Sequence, residues 1–235
     1  MDTSFLALTK NIVQNIDRLD DLVDSYFEGV KDYTDTASDI FTPIKAIGAL
    51  YTFGKKRKYK NFLRGYAKSL EEGNFTSMKT EKLQRYLKNE KNFNFLNDVV
   101  ENAINSKSIY GSLILGFYAG RILAGETEVN FKDLIIIEVL KELNDYELSF
   151  FIRIYSVINL AEKEIDIDDY DKLKSYRFFC ELTVSKMLTL RAFEKAPMRF
   201  DGGKRLRFVS TEIAEEIYFL VRDIDIEDEL INYQF

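Results

Sequence analysis

The chain has 235 residues, 46% apolar and 31% charged, a balance that supports a buried core in one large domain or two small ones. Its net charge of −6 sets the average surface against nucleic acid and anionic lipid, so binding to either requires a local basic patch. With no histidine and a single cysteine, Cys180, the Ser–His–Asp triad, the Cys–His dyad, the usual zinc sites and any internal disulfide are excluded.

Carboxylates, lysine or oxygen-ligated magnesium remain as the chemistry available to a catalyst. No facing pair of carboxylates can be placed from the sequence, so no catalytic, cofactor-binding or metal-binding residue is nominated and the expectation is a non-enzyme without cofactor. Residues 1–20 carry Asp2, Lys10, Asp17, Arg18 and Asp20, which break the apolar stretch that a secretory signal needs. Together with the lone cysteine this predicts a cytoplasmic protein.

In chain order, residues 5–30 read as an amphipathic helix. Ile12, Ile16, Leu19, Val23, Tyr26 and Val30 recur at steps of four and three and form an apolar seam opposite Asn15, Asp17, Asp20 and Asp24. Residues 31–39 are polar and turn-like; Ser38 or Asp39 can cap a following helix with Pro43 in its first turn. The apolar stretch Ile40–Phe53 runs into Gly54 and the basic run Lys55-Lys56-Arg57-Lys58. A helix over 59–72 follows, with Tyr59, Phe62, Leu63, Tyr66 and Leu70 on its apolar face and Gly73 as terminator.

Between Lys45 and Leu70 stand eight basic residues and no acidic one, interleaved with aromatics. Lys55, Lys56, Arg57, Lys58, Lys60, Arg64 and Lys68 therefore make a candidate surface for nucleic acid, another anion or a partner protein. The alternative is a solvated face neutralised by acidic segments of the same chain. Gly48 and Gly54-Lys55 do not form a phosphate loop: five residues separate the glycines where four are needed, and Lys56 stands in place of Ser or Thr.

Further helices are predicted over 79–89, 92–105 and 108–124, the last ending at Gly125. In it Ser112, Gly116, Gly120 and Ala124 fall at four-residue steps and form a helix-packing stripe. The run is short for a membrane span and Arg121 interrupts it, so close packing in a soluble core is the expected use. Asn130 can cap a helix through Leu143 with Asp133 at the third position, and Asn144 another through about Glu164.

The acidic joint Glu164–Asp171 reads as a domain boundary and as a solvated linker or helix start. It lacks the Gly and Glu positions of a calcium loop. Residues 172–190 read as one helix, in which Cys180 lies among Phe178, Phe179 and Leu182 as a buried thiol. Phe193–Phe200 and Lys204–Val209 flank Asp201-Gly202-Gly203, a hairpin signal. Ser210 or Thr211 then caps a helix over 212–221, before an acidic tail. Arg199, Lys204, Arg205 and Arg207 make the hairpin a candidate basic wing. The helix before it offers few base-reading side chains.

The order IFTPIKAIGALYTF, KKRKYKNFLRGYAKSL, SIYGSLILGFYAGRILAGE, NFKDLIIIEVLKELNDYELSFF, hairpin and RLRFVSTEIAEEIYFLV resembles the abortive infection alpha family of bacterial and phage proteins over about residues 40–220. Where that family often carries Thr-x-x-Gly, Thr211-Glu212-Ile213-Ala214 has Ala. The resemblance implies a role in phage–host conflict, as a defence component or a phage-encoded inhibitor, and supplies no catalytic residues.

The expected fold is mainly α: a multi-helix body over 1–165 and a winged-helix-like C-terminal unit over 166–235 with one β-hairpin. The expected activity is binding to a protein partner. A nucleic-acid-binding regulator and a membrane-active effector are the alternatives, and homo-oligomers are open through the 12–30 helix or the 112–124 stripe.

Overall fold

A computed structural model describes residues 18, 21, 53–72, 89–125, 129–158, 164–197 and 205–233. The helices predicted over 5–30 and 79–89, the stretch 40–52, and Arg199 and Lys204 fall largely or wholly outside these. The chain is mainly helical with one small antiparallel sheet and divides into two compact units, Met1–Asn130 and Phe131–Phe235.

In the first unit, α1 (Phe53–Glu72), α2 (Glu90–Asn105) and α3 (Ile109–Gly125) pack on one another. Helix α1 starts six residues earlier than the periodicity predicts. Gly54 is exposed and crowds nothing, and Lys55–Lys58 are good helix formers, so the basic run continues the helix instead of preceding it. Tyr59, Phe62 and Tyr66 line its buried face, with successive ring centroids 6.4 and 6.2 Å apart.

Helices α1 and α3 meet backbone to backbone. A Cβ on Gly65 would stand 2.0 Å from the Leu113 carbonyl oxygen, and one on Gly116 would stand 1.9 Å from that of Phe62. Only hydrogen fits at these two crossings.

The α2–α3 joint is a serine cluster. Ser108 Oγ accepts the Gly111 N–H at 2.7 Å at the start of α3. Ser112 Oγ lies 2.8 Å from the Ala103 carbonyl at the end of α2. The Lys58 ammonium donates to the Ser106 carbonyl. Buried carbonyls at a helix end thus acquire donors.

The second unit begins with α4 (Phe131–Glu142) and α5 (Asp145–Val157). Asn144 opens α5 with a complete capping box: its side chain accepts the Glu147 N–H at 2.9 Å, and Glu147 Oε2 accepts the Asn144 N–H at 2.9 Å. Helix α5 ends at Val157, short of the predicted Glu164, because the acidic joint is used as a strand.

That strand, β1 (Glu164–Asp166), pairs antiparallel with β3 (Arg207–Ser210), which pairs in turn with β2 (Phe193–Lys195), giving the order β1-β3-β2. The register sets Ile165 against Phe208 and Phe193 against Ser210. The joint is therefore no solvated linker. Ile165 and Ile167 fill the core, and the sheet ties the joint to the hairpin. The unit boundary at Asn130 consequently precedes the expected one at 165/166, since the helices over 131–157 belong with the sheet.

After a 3-10 turn (Ile167–Asp169) come α6 (Asp171–Lys174) and α7 (Arg177–Thr189). The single helix predicted over 172–190 is thus two, broken at Ser175–Tyr176. Helices α8 (Glu212–Asp223) and α9 (Glu227–Ile231) close the unit, and the acidic tail is helical in its last part.

Thr211 stands at the N-cap of α8 without capping it. Its hydroxyl donates instead to the Ala192 carbonyl at 2.6 Å and anchors the approach to β2. The core is aromatic: Phe193 and Phe208 stack at 4.2 Å across the sheet, and Tyr155 lies 5.1 Å from Tyr218. The Tyr155 and Ser210 hydroxyls are hydrogen-bonded, and burial pushes the Tyr155 phenol well above its ordinary range.

Helices α7 and α8 end in the same motif. Arg191 N–H bonds the Leu188 carbonyl and Ala192 N–H that of Met187; Asp225 N–H bonds that of Arg222 and Ile226 N–H that of Val221. This is a Schellman turn, which requires a left-handed residue. Arg191 (φ 62°) and Asp225 (φ 59°) fill the places where glycine is usual.

Candidate functional site

Helix α7 is apolar on both sides. Inward, Cys180, Thr183, Val184 and Met187 are buried. Outward, Tyr176 just before it and Phe178, Phe179 and Leu182 on it are 39, 65, 43 and 52% exposed. At 100° per residue Phe178 and Leu182 sit one turn apart on the outer crest, which Ser185 and Thr189 continue.

The surface is held by what lies beneath it. Phe179 stacks on buried Phe150 at 5.1 Å, and the Phe178 ring meets Phe179 edge-on at 5.6 Å. The Arg153 guanidinium lies 5.4 Å from both the Phe150 and Tyr176 rings and donates to the Tyr233 carbonyl at 3.2 Å. Lys186 reaches Glu147 of the capping box at 3.0 Å, which fastens the far end of α7 to the start of α5. On one flank Arg177 binds Glu181 at 2.9 Å and also Asp168.

The four exposed side chains leave on the order of 400 Å² open, taking about 200 Å² for a whole large side chain. That is the size of the largest apolar patch on a typical monomer, and such patches often serve binding. The sequence signal was the run Tyr176–Leu182, too apolar for one buried stripe. It reads as core until the inward face is seen to be filled by Cys180, Val184 and Met187.

The seven basic residues of α1 do not act as one group. Arg57, Lys60, Arg64 and Lys68 follow steps of three and four along one side, with Arg57 and Arg64 exposed. Lys58 points to the Ser106 carbonyl, and Lys55 and Lys56 lie half-buried in the first turn. No acidic residue occupies that turn, so its charges oppose the helix dipole and do not stabilise the helix.

The hairpin arginines face the acidic joint. Arg205 reaches Asp166 at 3.1 Å and Asp169 at 3.4 Å, and Arg207 reaches Glu164 at 3.2 Å. Asp171 pairs with Lys174, which holds its carboxyl below the usual range. The acidic joint is thus bound by cations of its own unit, and two of the four wing residues lie against it instead of standing out as a basic surface.

Of the small-residue stripe, Gly116 and Gly120 face α1, Ser112 bonds to the end of α2, and Ala124 is half-buried. The stripe serves contact between helices of one chain. Burial pushes the Cys180 thiol up to about 11, so it stays protonated at neutral pH. Among the described residues no group of three or more His, Cys, Asp or Glu is placed to hold a metal ion. Among them, too, no helix is long and apolar enough to cross a membrane.

The arrangement defines a mainly helical chain whose second unit carries a small antiparallel sheet and an exposed aromatic helix. Compared with protein-family models, curated proteins and solved structures, the chain finds no match.

Proposed function

We propose that the chain is a non-enzymatic protein-binding factor acting in phage–host conflict, and that the outer face of α7 is its contact surface. The observation that carries the reading is the exposed cluster of Phe178, Phe179 and Leu182 over a fully occupied inner face. The setting follows from the resemblance to the abortive infection alpha family.

The second unit is read as a winged helix. The order α5, β1, α6, α7, β2, β3, α8 with sheet order β1-β3-β2 supports this. In that fold the helix before the hairpin enters the DNA major groove with polar side chains. Here that helix is α7, which presents phenylalanine and leucine, and Arg205 and Arg207 are engaged by Asp166, Asp169 and Glu164. Both features favour protein over DNA as the ligand.

The test is affinity capture of the tagged chain from its host, with and without phage infection and with nuclease treatment. Wild type is compared with a Phe178→Ser/Leu182→Ser variant. A stoichiometric protein that survives nuclease and is lost in the variant supports the reading. Capture unchanged by the variant removes α7 as the contact face.

A second reading, nucleic-acid binding, has one observation in its favour: Arg57, Lys60, Arg64 and Lys68 share one side of α1. It predicts affinity that falls steeply with salt and is abolished by neutralising Arg57, Lys60, Arg64 and Lys68 together. Affinity unaffected by that change rules it out.

A further inference from the structure

We propose that the protein on the outer face of α7 is a second copy of this chain, paired antiparallel about a two-fold axis. The proposal rests on the reading of that face as a protein-contact surface and names its occupant.

The argument is the self-complementarity of one helical turn. Phe178 and Leu182 are four residues apart on the crest, and Arg177 and Glu181 are four apart on the adjoining flank, where they bind each other at 2.9 Å. In an isologous contact residue i meets residue j of the other copy while j meets i. Two α7 helices set antiparallel, with the axis near residues 179–180, bring each Phe178 onto the other copy's Leu182. The same axis brings each Arg177 beside the other copy's Glu181. Crest and flank are satisfied by one operation, with an apolar seam and opposite charges along its edge.

Arg177 can bridge to the second copy while keeping Asp168, because a guanidinium has five N–H donors. A parallel two-fold pairing would instead place the two Arg177/Glu181 flanks on opposite edges of the seam, where they do not meet.

The open area sets the strength. About 400 Å² per chain is roughly half of the ~800 Å² per partner in a standard stable interface. The dimer is therefore reversible and concentration-dependent.

The experiment is sedimentation equilibrium of the full chain over a range of concentrations. It covers wild type, Phe178→Ser/Leu182→Ser, Arg177→Glu, Glu181→Arg, and an equal mixture of the last two. Thermal melts establish that each variant is folded. Wild type is expected to dimerise and the crest variant to remain monomeric. Each charge variant alone should self-associate at least tenfold more weakly, because like charges meet across the seam. Their mixture should recover the dimer, since two glutamates then face two arginines.

A wild-type chain that stays monomeric throughout overturns the proposal. So does a dimer indifferent to the crest variant, or a mixture that fails to recover it. If the chain is monomeric and still captures a different protein that the crest variant loses, the protein-contact reading stands and only the second copy is eliminated.

Discussion

Phe179 lies face to face with Phe150, ring centroids 5.1 Å apart and planes 6° from parallel. Phe150 is buried and Phe179 half-exposed, so the limit between core and surface passes through this pair. Phe178, the next residue back, turns outward. Phe179→Ala is expected to lower the stability of the second unit by about 1–3 kcal/mol, from lost burial and stacking. Phe178→Ala should change it by about 0.5 kcal/mol or less. Urea unfolding of the two variants separates them, and equal losses would make Phe178 a core residue.

Glycines of α1 and α3 give a second contrast. Gly116→Ala puts a methyl 1.9 Å from the Phe62 carbonyl oxygen and must push the helices apart, at a cost above about 3 kcal/mol. Gly54→Ala meets nothing within 4 Å in an exposed turn of helix and should stabilise by about 0.5–1 kcal/mol. Thermal denaturation of both reads the difference in sign.

Ser69 tests the same helix pair from the polar side. Among the described residues its buried hydroxyl has no hydrogen-bond partner. Ser69→Ala removes an unsatisfied group of nearly the same size and should be neutral or stabilising by about 1 kcal/mol. A loss of stability in the melt would show that the hydroxyl is bonded in solution.

The two Schellman turns predict stabilising substitutions. Arg191 and Asp225 hold a left-handed backbone that costs an L-residue about 1–2 kcal/mol and glycine almost nothing. After the larger entropy of glycine in the unfolded chain, Arg191→Gly and Asp225→Gly should each gain about 0.5–1 kcal/mol. For a unit of this size that raises the melting temperature by several degrees, roughly 2–8 °C.

Alkaline pH should destabilise the second unit. Burial, and then the hydrogen bond to Glu227 at 2.8 Å, push the Tyr218 phenol from 10.0 up to about 12. Below pH 10 both folded and unfolded states keep the proton, and the stabilisation is fully present. Between about 10 and 12 the unfolded state releases it first, so stability falls as pH rises. Tyr218→Phe should make this part of a stability-versus-pH curve less steep, with the buried Tyr155 and Cys180 supplying the remaining slope; an unchanged slope would assign the effect to those groups alone.

Local signals located most helices. Asn144 and Asn130 precede α5 and α4, Gly125 is the last residue of α3, and the stepped aromatics of 59–66 mark the buried side of α1. The Asp201-Gly202-Gly203 turn signal fell between two strands that do pair. These are legible because caps, turns and helical periodicity act within a few residues. The left-handed turns had no such mark: Arg191 and Asp225 occupy places where glycine is usual, each followed by a buried apolar residue, Ala192 and Ile226.

Composition alone removed histidine and disulfide chemistry and set an acidic average charge. Tertiary structure alone decided the use of the groups that remained. Glu164–Asp166 carries the composition of a linker, yet it forms a strand because β3 supplies its hydrogen bonds and Arg205 and Arg207 its counter-charges, from about forty residues away. Phe178, Cys180 and Leu182 belong to one apolar run, but only the packing of α7 on α5 and the sheet determines that the cysteine is buried and the other two are exposed. A run of apolar residues specifies that surface must be covered; which side the fold covers depends on neighbours distant in sequence.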